Sequence, residues 1–207
     1  MIAHEIGDEI CTLRIELADT EPRIWRELEV PTSVTLKTLH QIVQAAMGWG
    51  NYHLWEFKLG RQRFATPHAG DWGSEKPRDA GKVQLHELLS PSRTQIDYLY
   101  DFGDDWLHHL TVSRIRPAEA GVAYPRYIGG ERNAPPEDCG GTPGFYNKLD
   151  ILADQGHPDH EDIVEWLGSY DPGTVDVKRI EAALKRIAKR LSTAKTKSTK
   201  PPGNGPS

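Results

Sequence analysis

Two runs of strand-like residues near the start of the chain predict neighbouring β-strands. Residues 11–20 (CTLRIELADT) alternate between apolar and polar side chains clearly from Leu13 on, and residues 23–31 (RIWRELEVP) form the second run. Glu21-Pro22 breaks the chain between them. The pattern therefore predicts that the fold begins with two strands.

The spacing then changes to that of an amphipathic helix before alternation returns. In residues 35–49 (TLKTLHQIVQAAMGW), apolar side chains recur three or four residues apart, and Gly48 or Gly50 is suited to end the helix. Residues 53–60 (HLWEFKLG) alternate again and predict a third strand. Together with the first two strands, these segments predict an N-terminal β-β-α-β unit.

Residues 95–112 (QIDYLYDFGDDWLHHLTV) predict a β-hairpin with a polar turn. A three-residue loop, Gly103-Asp104-Asp105, pairs Phe102 with Trp106 and puts every aromatic side chain on one face. A two-residue loop would instead set Trp106 against Asp101. Because a slip of one residue moves the partner side chains to the other face, the three-residue loop is preferred.

Three further stretches have weaker patterns. Residues 65–81 are rich in Gly, Pro and Asp and predict an exposed loop. Residues 83–90 predict a short ordered element whose type stays open. Residues 116–141 look irregular because Pro and Gly recur along them. None of these stretches is predicted to form a strand.

Three helices are predicted to complete the chain. Thr142 suits the N-cap of one helix, Gly168 ends the next, and apolar residues recur at helical spacing from about Asp176 in the third. The predicted fold class is α+β: a compact mixed or antiparallel sheet with the N-terminal β-β-α-β unit, a central β-hairpin and C-terminal helices packed on the sheet. We expect one domain over residues 8–191 and a disordered basic tail over 192–207.

The composition indicates a globular protein with reduced thiols. Of 207 residues, 37% are hydrophobic and six are tryptophan, which is enough material for a core. Cys11 and Cys139 lie far apart in the sequence, which suits a reducing compartment better than a disulfide framework. Because no segment approaches the roughly 20 apolar residues of a membrane helix and no signal peptide is apparent, we expect a cytoplasmic protein without membrane contact.

Charge is distributed unevenly along the chain. Nine of the 25 Lys and Arg residues, but only two of the 30 acids, lie in residues 175–207, so that the body carries about −12 and this segment about +7. An acidic body repels phosphate, and any DNA contact is therefore expected only through the basic C-terminal helix and tail. The alternative is a solvated helix face followed by a soluble tail.

The hairpin loop carries the densest set of candidate catalytic and metal-binding side chains. Carboxylates and imidazoles suit a divalent cation that positions water, but Gly-Asp-Asp is also ordinary turn chemistry in which Asp side chains cap the loop's own amides. In the predicted register Asp101 and His109 point away from His108, so the whole set cannot share one site. The catalytic candidates are Asp101, Asp104, Asp105 and His108, and the metal candidates are Asp104, Asp105 and His108.

A second polar segment, APPEDCGGTPGF (residues 134–145), supplies most of a candidate binding rim. One thiolate among carboxylates is a poor zinc signature, and no second cysteine stands at C-x-x-C spacing. The glycine-rich run before the helix could bind an anion through free amides or cap the helix. A histidine beside Trp55 could approach the hairpin or be a core group. The predicted rim consists of Trp106, Glu137, Asp138, Cys139 and His53.

Four blocks of the sequence resemble the plasmid pRiA4b ORF-3-like family. In chain order, they are IWRELEVPTSVTLKTLHQIVQAAMGWGNYHLWEF, YLYDFGDDWLHHL, ERNAPPEDCGGTPGFYNKL and HPDHEDIVEWLGSYDP. The resemblance runs from about Cys11 to Leu184 and implies a compact α+β domain. Members that resemble this chain occur on plasmids and insertion elements, and some are described as TnpR-like passenger proteins.

The chain departs from the family pattern at two positions. Leu107 stands where relatives often have an acidic or amide residue, and Ala134 stands where they often have cysteine. The missing cysteine weakens an interpretation in which two thiols bind a metal or form a redox pair. The TnpR description suggests a resolvase, but neither the serine nor the tyrosine recombinase pattern is visible, so the resemblance carries over no catalysis.

Three functions remain open from the sequence. The first is a non-catalytic binding or accessory domain associated with plasmids or insertion elements, whose rim contacts a protein partner or a small ligand. The second is a divalent-metal-dependent hydrolase or nuclease. The third is a DNA-binding protein linked to transposition or resolution. The dense polar rim without a convincing nucleophile favours the first.

Overall fold

A computed structural model describes residues 9–67, 76–92 and 94–198. The described strands are β1 (Glu9–Leu17), β2 (Trp25–Pro31), β3 (Trp55–Leu59), β4 (Gln62–Ala65), β5 (Arg78–Asp79), β6 (Gln95–Tyr100), β7 (Trp106–Pro117) and β8 (Arg126–Glu131). The α-helices are α1 (Leu36–Met47), α2 (Gly141–Ala153), α3 (His160–Leu167) and α4 (Val177–Ser198), and the segment Leu85–Leu88 is a short 3₁₀ helix.

The strands form one sheet in the order β5-β4-β3-β6-β7-β1-β2-β8. Neighbouring strands are antiparallel except β4 and β5, which are parallel. The β6-β7 hairpin therefore lies between β3 and β1, whereas α1 connects β2 to β3 along the chain. The predicted α+β class, with its mixed sheet, its β-β-α-β start and its central hairpin, is confirmed.

The core lies between one face of the sheet and helix α1. Alternate side chains of β1, from Cys11 to Leu17, are buried, and fully burying an aliphatic side chain contributes about 1.5–3 kcal/mol. Polar groups orient α1 on this face. The imidazole of His40 stacks on Trp55 with ring centroids 4.0 Å apart, and Arg26 Nε donates a hydrogen bond to the Ala46 carbonyl at 3.0 Å.

Helix α4 packs on α1 and on β8 at the edge of the sheet. Two of its arginines bond to α1 or its C-cap: Arg179 donates to the Gly48 carbonyl and Arg190 donates to the Gln41 side chain. The helix runs to Ser198, so residues 192–198 of the predicted disordered tail are helical, whereas residues 199–207 lie outside the described part. None of the described helices combines the length and apolar character needed to cross a bilayer.

The hairpin turn is two residues longer than predicted. Tyr100 pairs with Trp106, so that the loop comprises residues 101–105. Asp101 and Asp105 adopt left-handed backbone conformations with φ of 56° and 58°, and the Asp105 amide donates to the Asp101 carbonyl at 2.7 Å. A shift of two residues keeps the same side chains on the same faces. The aromatic face is therefore as predicted, except that Phe102 lies in the loop and is 43% exposed.

Two expectations for the glycine-rich segments differ from the structure. The irregular segment 116–141 contains strand β8, which pairs with β2. Gly130 is required there, because a Cβ would lie 2.7 Å from the Trp25 carbonyl oxygen and 2.8 Å from Arg26 Cδ. Helix α2 begins at Gly141 and not after a Thr142 N-cap. In the predicted loop 65–81, β5 is formed, and residues 68–75 lie outside the described part.

Candidate functional site

The hairpin loop and the segment before α2 lie against each other. Asp104 Oδ2 accepts a hydrogen bond from the Gly140 amide at 3.1 Å. Gly141 adopts a φ of 67°, and a Cβ at this position would lie 2.5 Å from the Asp104 carbonyl oxygen. The close approach of the two backbones therefore requires glycine at position 141.

The loop that follows α1 is the third segment at this place. The Tyr100 hydroxyl donates to Glu137 Oε1 at 2.5 Å and accepts a hydrogen bond from the Tyr52 amide at 3.0 Å. Glu137 Oε2 accepts a second hydrogen bond, from the Gly50 amide at 2.6 Å. Burial and the bond to Glu137 both raise the pKa of Tyr100, so the phenol keeps its proton and holds the loop in place.

A buried hydrogen-bond network around His40 holds the loop that follows α1 from the side of the core. His40 Nε2 lies 2.6 Å from Asn51 Oδ1, and His40 Nδ1 lies 2.7 Å from the Tyr98 hydroxyl. Because Asn51 Oδ1 can only accept, Nε2 carries a proton, and since burial lowers the pKa of His40 to about 4, the ring is neutral at pH 7. Gln44 completes the network by donating to Tyr98 and accepting from the Asn51 amide. Sequence reasoning missed this network, although position 40 lies beside the apolar stripe of the helix.

These contacts bring His53, Asp101 and Asp138 together. His53 Nε2 lies 3.1 Å from Asp138 Oδ1 and 3.6 Å from Asp101 Oδ2, and one ligand atom from each residue lies within 4.8 Å of the others. Nε2 is enclosed and makes no hydrogen bond to the described residues. Asp101 Oδ1 accepts from the Gly103 amide at 3.0 Å, which leaves Oδ2 directed to the histidine.

The spacing of these three atoms suits one divalent cation. Ligands about 2.1 Å from a metal are separated by roughly 3.0–3.4 Å when they occupy neighbouring positions, close to the distances from His53 Nε2. One imidazole nitrogen with two carboxylate oxygens suits Zn²⁺ or another first-row ion better than Ca²⁺ or Mg²⁺. The Asp138 side chain is 71% exposed, so remaining coordination positions would face solvent.

Backbone conformation directs both carboxylates into this cluster. Asp101 and Asp138 have φ values of 56° and 59°, in the left-handed region that aspartate adopts more readily than most residues. The Asp101 amide donates to the Leu54 carbonyl at 2.9 Å, which ties the hairpin loop to the residue next to His53. The cluster is thus assembled by the turns of three distant segments.

Several predicted site residues lie in the core and not at the rim. Trp106, His108 and Cys139 are at most 1% exposed. His108 Nδ1 lies 3.0 Å from the Trp106 carbonyl oxygen, and burial lowers the pKa of this histidine to about 4. Asp105 is exposed and Asp104 binds the Gly140 amide. The predicted metal set of Asp104, Asp105 and His108 is therefore not brought together.

Neither thiol is suited to bind a metal or to act as a nucleophile. Cys11 and Cys139 are both buried and free. Burial raises the pKa of each thiol to about 12, so both stay protonated near neutral pH. From the predicted set, the residues that the structure brings together are His53, Asp101 and Asp138, with Glu137 fastening the adjacent loop.

These observations define an α+β protein in which an aromatic sheet face supports a small His–Asp–Asp cluster at the meeting point of three turns. The sequence profile described as plasmid pRiA4b ORF-3-like protein matches residues 9–179. The chain belongs to this family, as the four sequence blocks indicated.

Two relatives cover most of the chain. Uncharacterized protein y4hQ of Sinorhizobium fredii (strain NBRC 101917 / NGR234) is 35% identical over 182 residues, which are 86% of this chain and 92% of that protein. The crystal structure of the protein of unknown function MM3350 from Methanosarcina mazei Go1 is similar with a TM-score of 0.77 and 32% identity, and the match covers 83% of this chain and 97% of that one. Neither description states an activity, so function must be argued from the site.

Proposed function

We propose that this chain is a non-catalytic binding domain that contacts its ligand or partner through a divalent metal ion held by His53, Asp101 and Asp138. The observation that carries the proposal is the cluster of three ligand atoms within 4.8 Å, one of which is an enclosed imidazole nitrogen without a hydrogen bond. An ion there would use this nitrogen and would neutralise two adjacent carboxylates.

The surroundings of the cluster favour binding over hydrolysis. Many metal-dependent hydrolases use a free base within reach of the metal-bound water. Glu137, the carboxylate next to Asp138 in the chain, has both oxygens engaged by Tyr100 and the Gly50 amide. Protonation of Glu137 would weaken these two bonds, which hold the loop after α1 in place. An exposed Asp138 instead suits an ion whose coordination is completed by a donor from a partner.

The family resemblance implies an accessory role on plasmids or insertion elements, and this role is part of the proposal. Contact with DNA through α4 has less support. Arg179 and Arg190 bond to α1 or its C-cap, which leaves fewer α4 cations for phosphate groups.

Metal titration tests the proposal. The protein is stripped with a chelator, returned to chelator-free buffer and titrated calorimetrically with Zn²⁺, Mn²⁺, Mg²⁺ and Ca²⁺. We expect one Zn²⁺ or Mn²⁺ per chain, with affinity reduced about 10- to 100-fold or more in His53→Gln and Asp138→Asn, since outer-sphere changes alone cost that much at metal sites. Circular dichroism checks that each variant is folded.

A second histidine–aspartate pair provides a matched control. His109 Nδ1 lies 2.9 Å from Asp97 Oδ1 on the exposed face of the same hairpin, and no third ligand of the described residues joins it. His109→Gln is expected to leave metal affinity unchanged. Absence of stoichiometric binding in the wild type, or an equal loss in His109→Gln, would contradict the proposed site. Hydrolysis of bis-p-nitrophenyl phosphate that depends on His53 would contradict the non-catalytic role.

A further inference from the structure

Arg26 of strand β2 is a buried cation without a carboxylate partner in the described residues. Its side chain faces the core and the residue is 1% exposed. Nε donates to the Ala46 carbonyl at 3.0 Å, and Nη1 donates to the carbonyls of Trp25 and Glu131 at 2.8 and 3.0 Å. Nη2 makes no hydrogen bond to the described residues. Carbonyl dipoles therefore stabilise the guanidinium, but no carboxylate of the described part of the chain neutralises it.

Glu29 of the same strand is a buried charge that is paired within the chain. Glu29 is 7% exposed, and its two oxygens are bound by Arg116, at 2.6 Å, and by Arg126. An unpaired buried charge is costly, and burial lowers the pKa of Arg26 to about 10. Since Glu29 has two counter-charges and Arg26 has none, Arg26 is suited to meet an anion from outside the chain.

A cavity of about 820 Å³ lies beside Arg26, between the C-terminal end of α1, residues 133–137 and residues 166–180. Its wall combines apolar side chains, among them Met47, Trp49 and Trp166, with polar ones such as Asn133 and Thr174. Tyr170 belongs to the same wall, and its hydroxyl is buried with no hydrogen-bond partner in the described residues. Cavities of this size and character suit small organic ligands.

The acidic residues of the wall have bonds of their own. Asp171 accepts from the Gly173 amide at 2.8 Å and from the Thr174 hydroxyl at 2.5 Å, and Asp176 accepts from the Arg179 amide at 3.0 Å. Glu137 is engaged by Tyr100 and the Gly50 amide, as described above. In the buried part of the cavity, Arg26 Nη2 and the Tyr170 hydroxyl are donors without a partner among the described residues, whereas the Ser169 hydroxyl and the Lys178 ammonium lie on its exposed side.

We propose that this cavity binds a small organic acid, with Arg26 Nη2 and the Tyr170 hydroxyl donating hydrogen bonds to its carboxylate and the apolar side chains of the wall contacting its body. A monocarboxylate fits better than a phosphate group. One guanidinium nitrogen and one phenol offer too few donors for a dianion with three terminal oxygens. This site is separate from the metal cluster and does not depend on it.

Tryptophan fluorescence tests the proposal, because Trp49 and Trp166 line the cavity. The intact chain is titrated with acetate, hexanoate, benzoate and phenylacetate, with the matching neutral amides and with inorganic phosphate. We expect at least one carboxylate to bind saturably and about 10- to 100-fold more tightly than its amide, the range of a charge-assisted hydrogen bond. No saturable binding by any acid, equal binding of acid and amide, or tighter binding of phosphate overturns the proposal.

Two variants separate recognition from folding. Tyr170→Phe is expected to fold normally, since its hydroxyl has no partner to lose, and to bind the best acid about 3- to 10-fold more weakly. Ser113→Ala, at an exposed position of β7 outside the cavity, should bind like the wild type. Arg26→Met should remove the preference for acid over amide. If Arg26→Met does not fold, Tyr170→Phe decides, and an unchanged affinity there overturns the assignment.

Discussion

Replacing Gly141 by alanine should drive apart the two turns on which the candidate site depends. The added Cβ would lie 2.5 Å from the Asp104 carbonyl oxygen, where an ordinary contact is about 3.4 Å or more, so one backbone must move by nearly 1 Å. Overpacking of this kind costs about 1–3 kcal/mol. A left-handed φ of 67° adds about 1–2 kcal/mol for a residue with a Cβ.

Gly60 is the matched control for this substitution. It also has a positive φ, 58°, but a Cβ there meets nothing within 4 Å. Gly60→Ala therefore carries only the conformational cost, partly offset by about 0.4–1 kcal/mol because alanine restricts the unfolded chain. The same offset applies to Gly141→Ala, so we expect a loss of at most about 1.5 kcal/mol for Gly60→Ala and about 1–4.5 kcal/mol for Gly141→Ala.

Urea unfolding and thermal melting measure both effects. For a domain of this size, each kcal/mol corresponds to about 2–4 °C in Tm, so Gly141→Ala should melt about 2–18 °C below the wild type. Zn²⁺ affinity should fall in Gly141→Ala and stay unchanged in Gly60→Ala, because only the first moves Asp101 relative to Asp138. Equal losses of stability in both variants would refute the close contact between the turns.

Three further predictions concern buried charges and buried histidines. Burial lowers the pKa of His40 and His108 from 6.5 to about 4, so both histidines take up protons when the protein unfolds below pH 6.5. The free energy of unfolding is therefore greatest above pH 6.5 and falls as the pH approaches 4, by up to about 3 kcal/mol per histidine. His108→Leu should remove about half of this dependence in urea titrations at pH 7 and 4.5; an unchanged dependence contradicts it. Glu29→Gln should cost about 2 kcal/mol at pH 7, whereas Asp97→Asn, in an exposed pair, should cost under about 1 kcal/mol, and similar losses would count against this contrast.

The regular elements of the first third of the chain were predictable because burial on one face fixes their pattern. From β1 to β3, alternation and helical spacing read directly as inward and outward side chains, and breaks such as Glu21-Pro22 separate the elements. Strand β8 was missed for a physical reason. Gly129 and Gly130 weaken the strand pattern, yet Gly130 leaves the space that Arg26 and Tyr127 occupy. A glycine that is needed to make room for another residue's side chain cannot be recognised from the pattern of its neighbours in the sequence.

The sequence indicated the members of the His–Asp–Asp cluster one at a time, but it did not predict that they lie together. His53, Asp101 and Asp138 were each singled out, but the parity of the predicted hairpin put Asp101 on the face away from the aromatic side chains. The longer loop, held by left-handed Asp101 and Asp105, turns this carboxylate towards a histidine from another segment. Loop length depends on side chains that bond to their own backbone, and such turns leave the alternation of the flanking strands unchanged.

The position of the β6-β7 hairpin between β1 and β3 has a consequence for synthesis on the ribosome. Strands β3 and β4 reach the rest of the sheet only through β6, so a nascent chain that ends before Gln95 holds two separate sheet fragments with open edges. Neither fragment can close its edge until translation delivers residues 95–117. We therefore expect the sheet to form only after β6 and β7 have been synthesised. Until then, the exposed edges of β1 and β3 are expected to be accessible to chaperones.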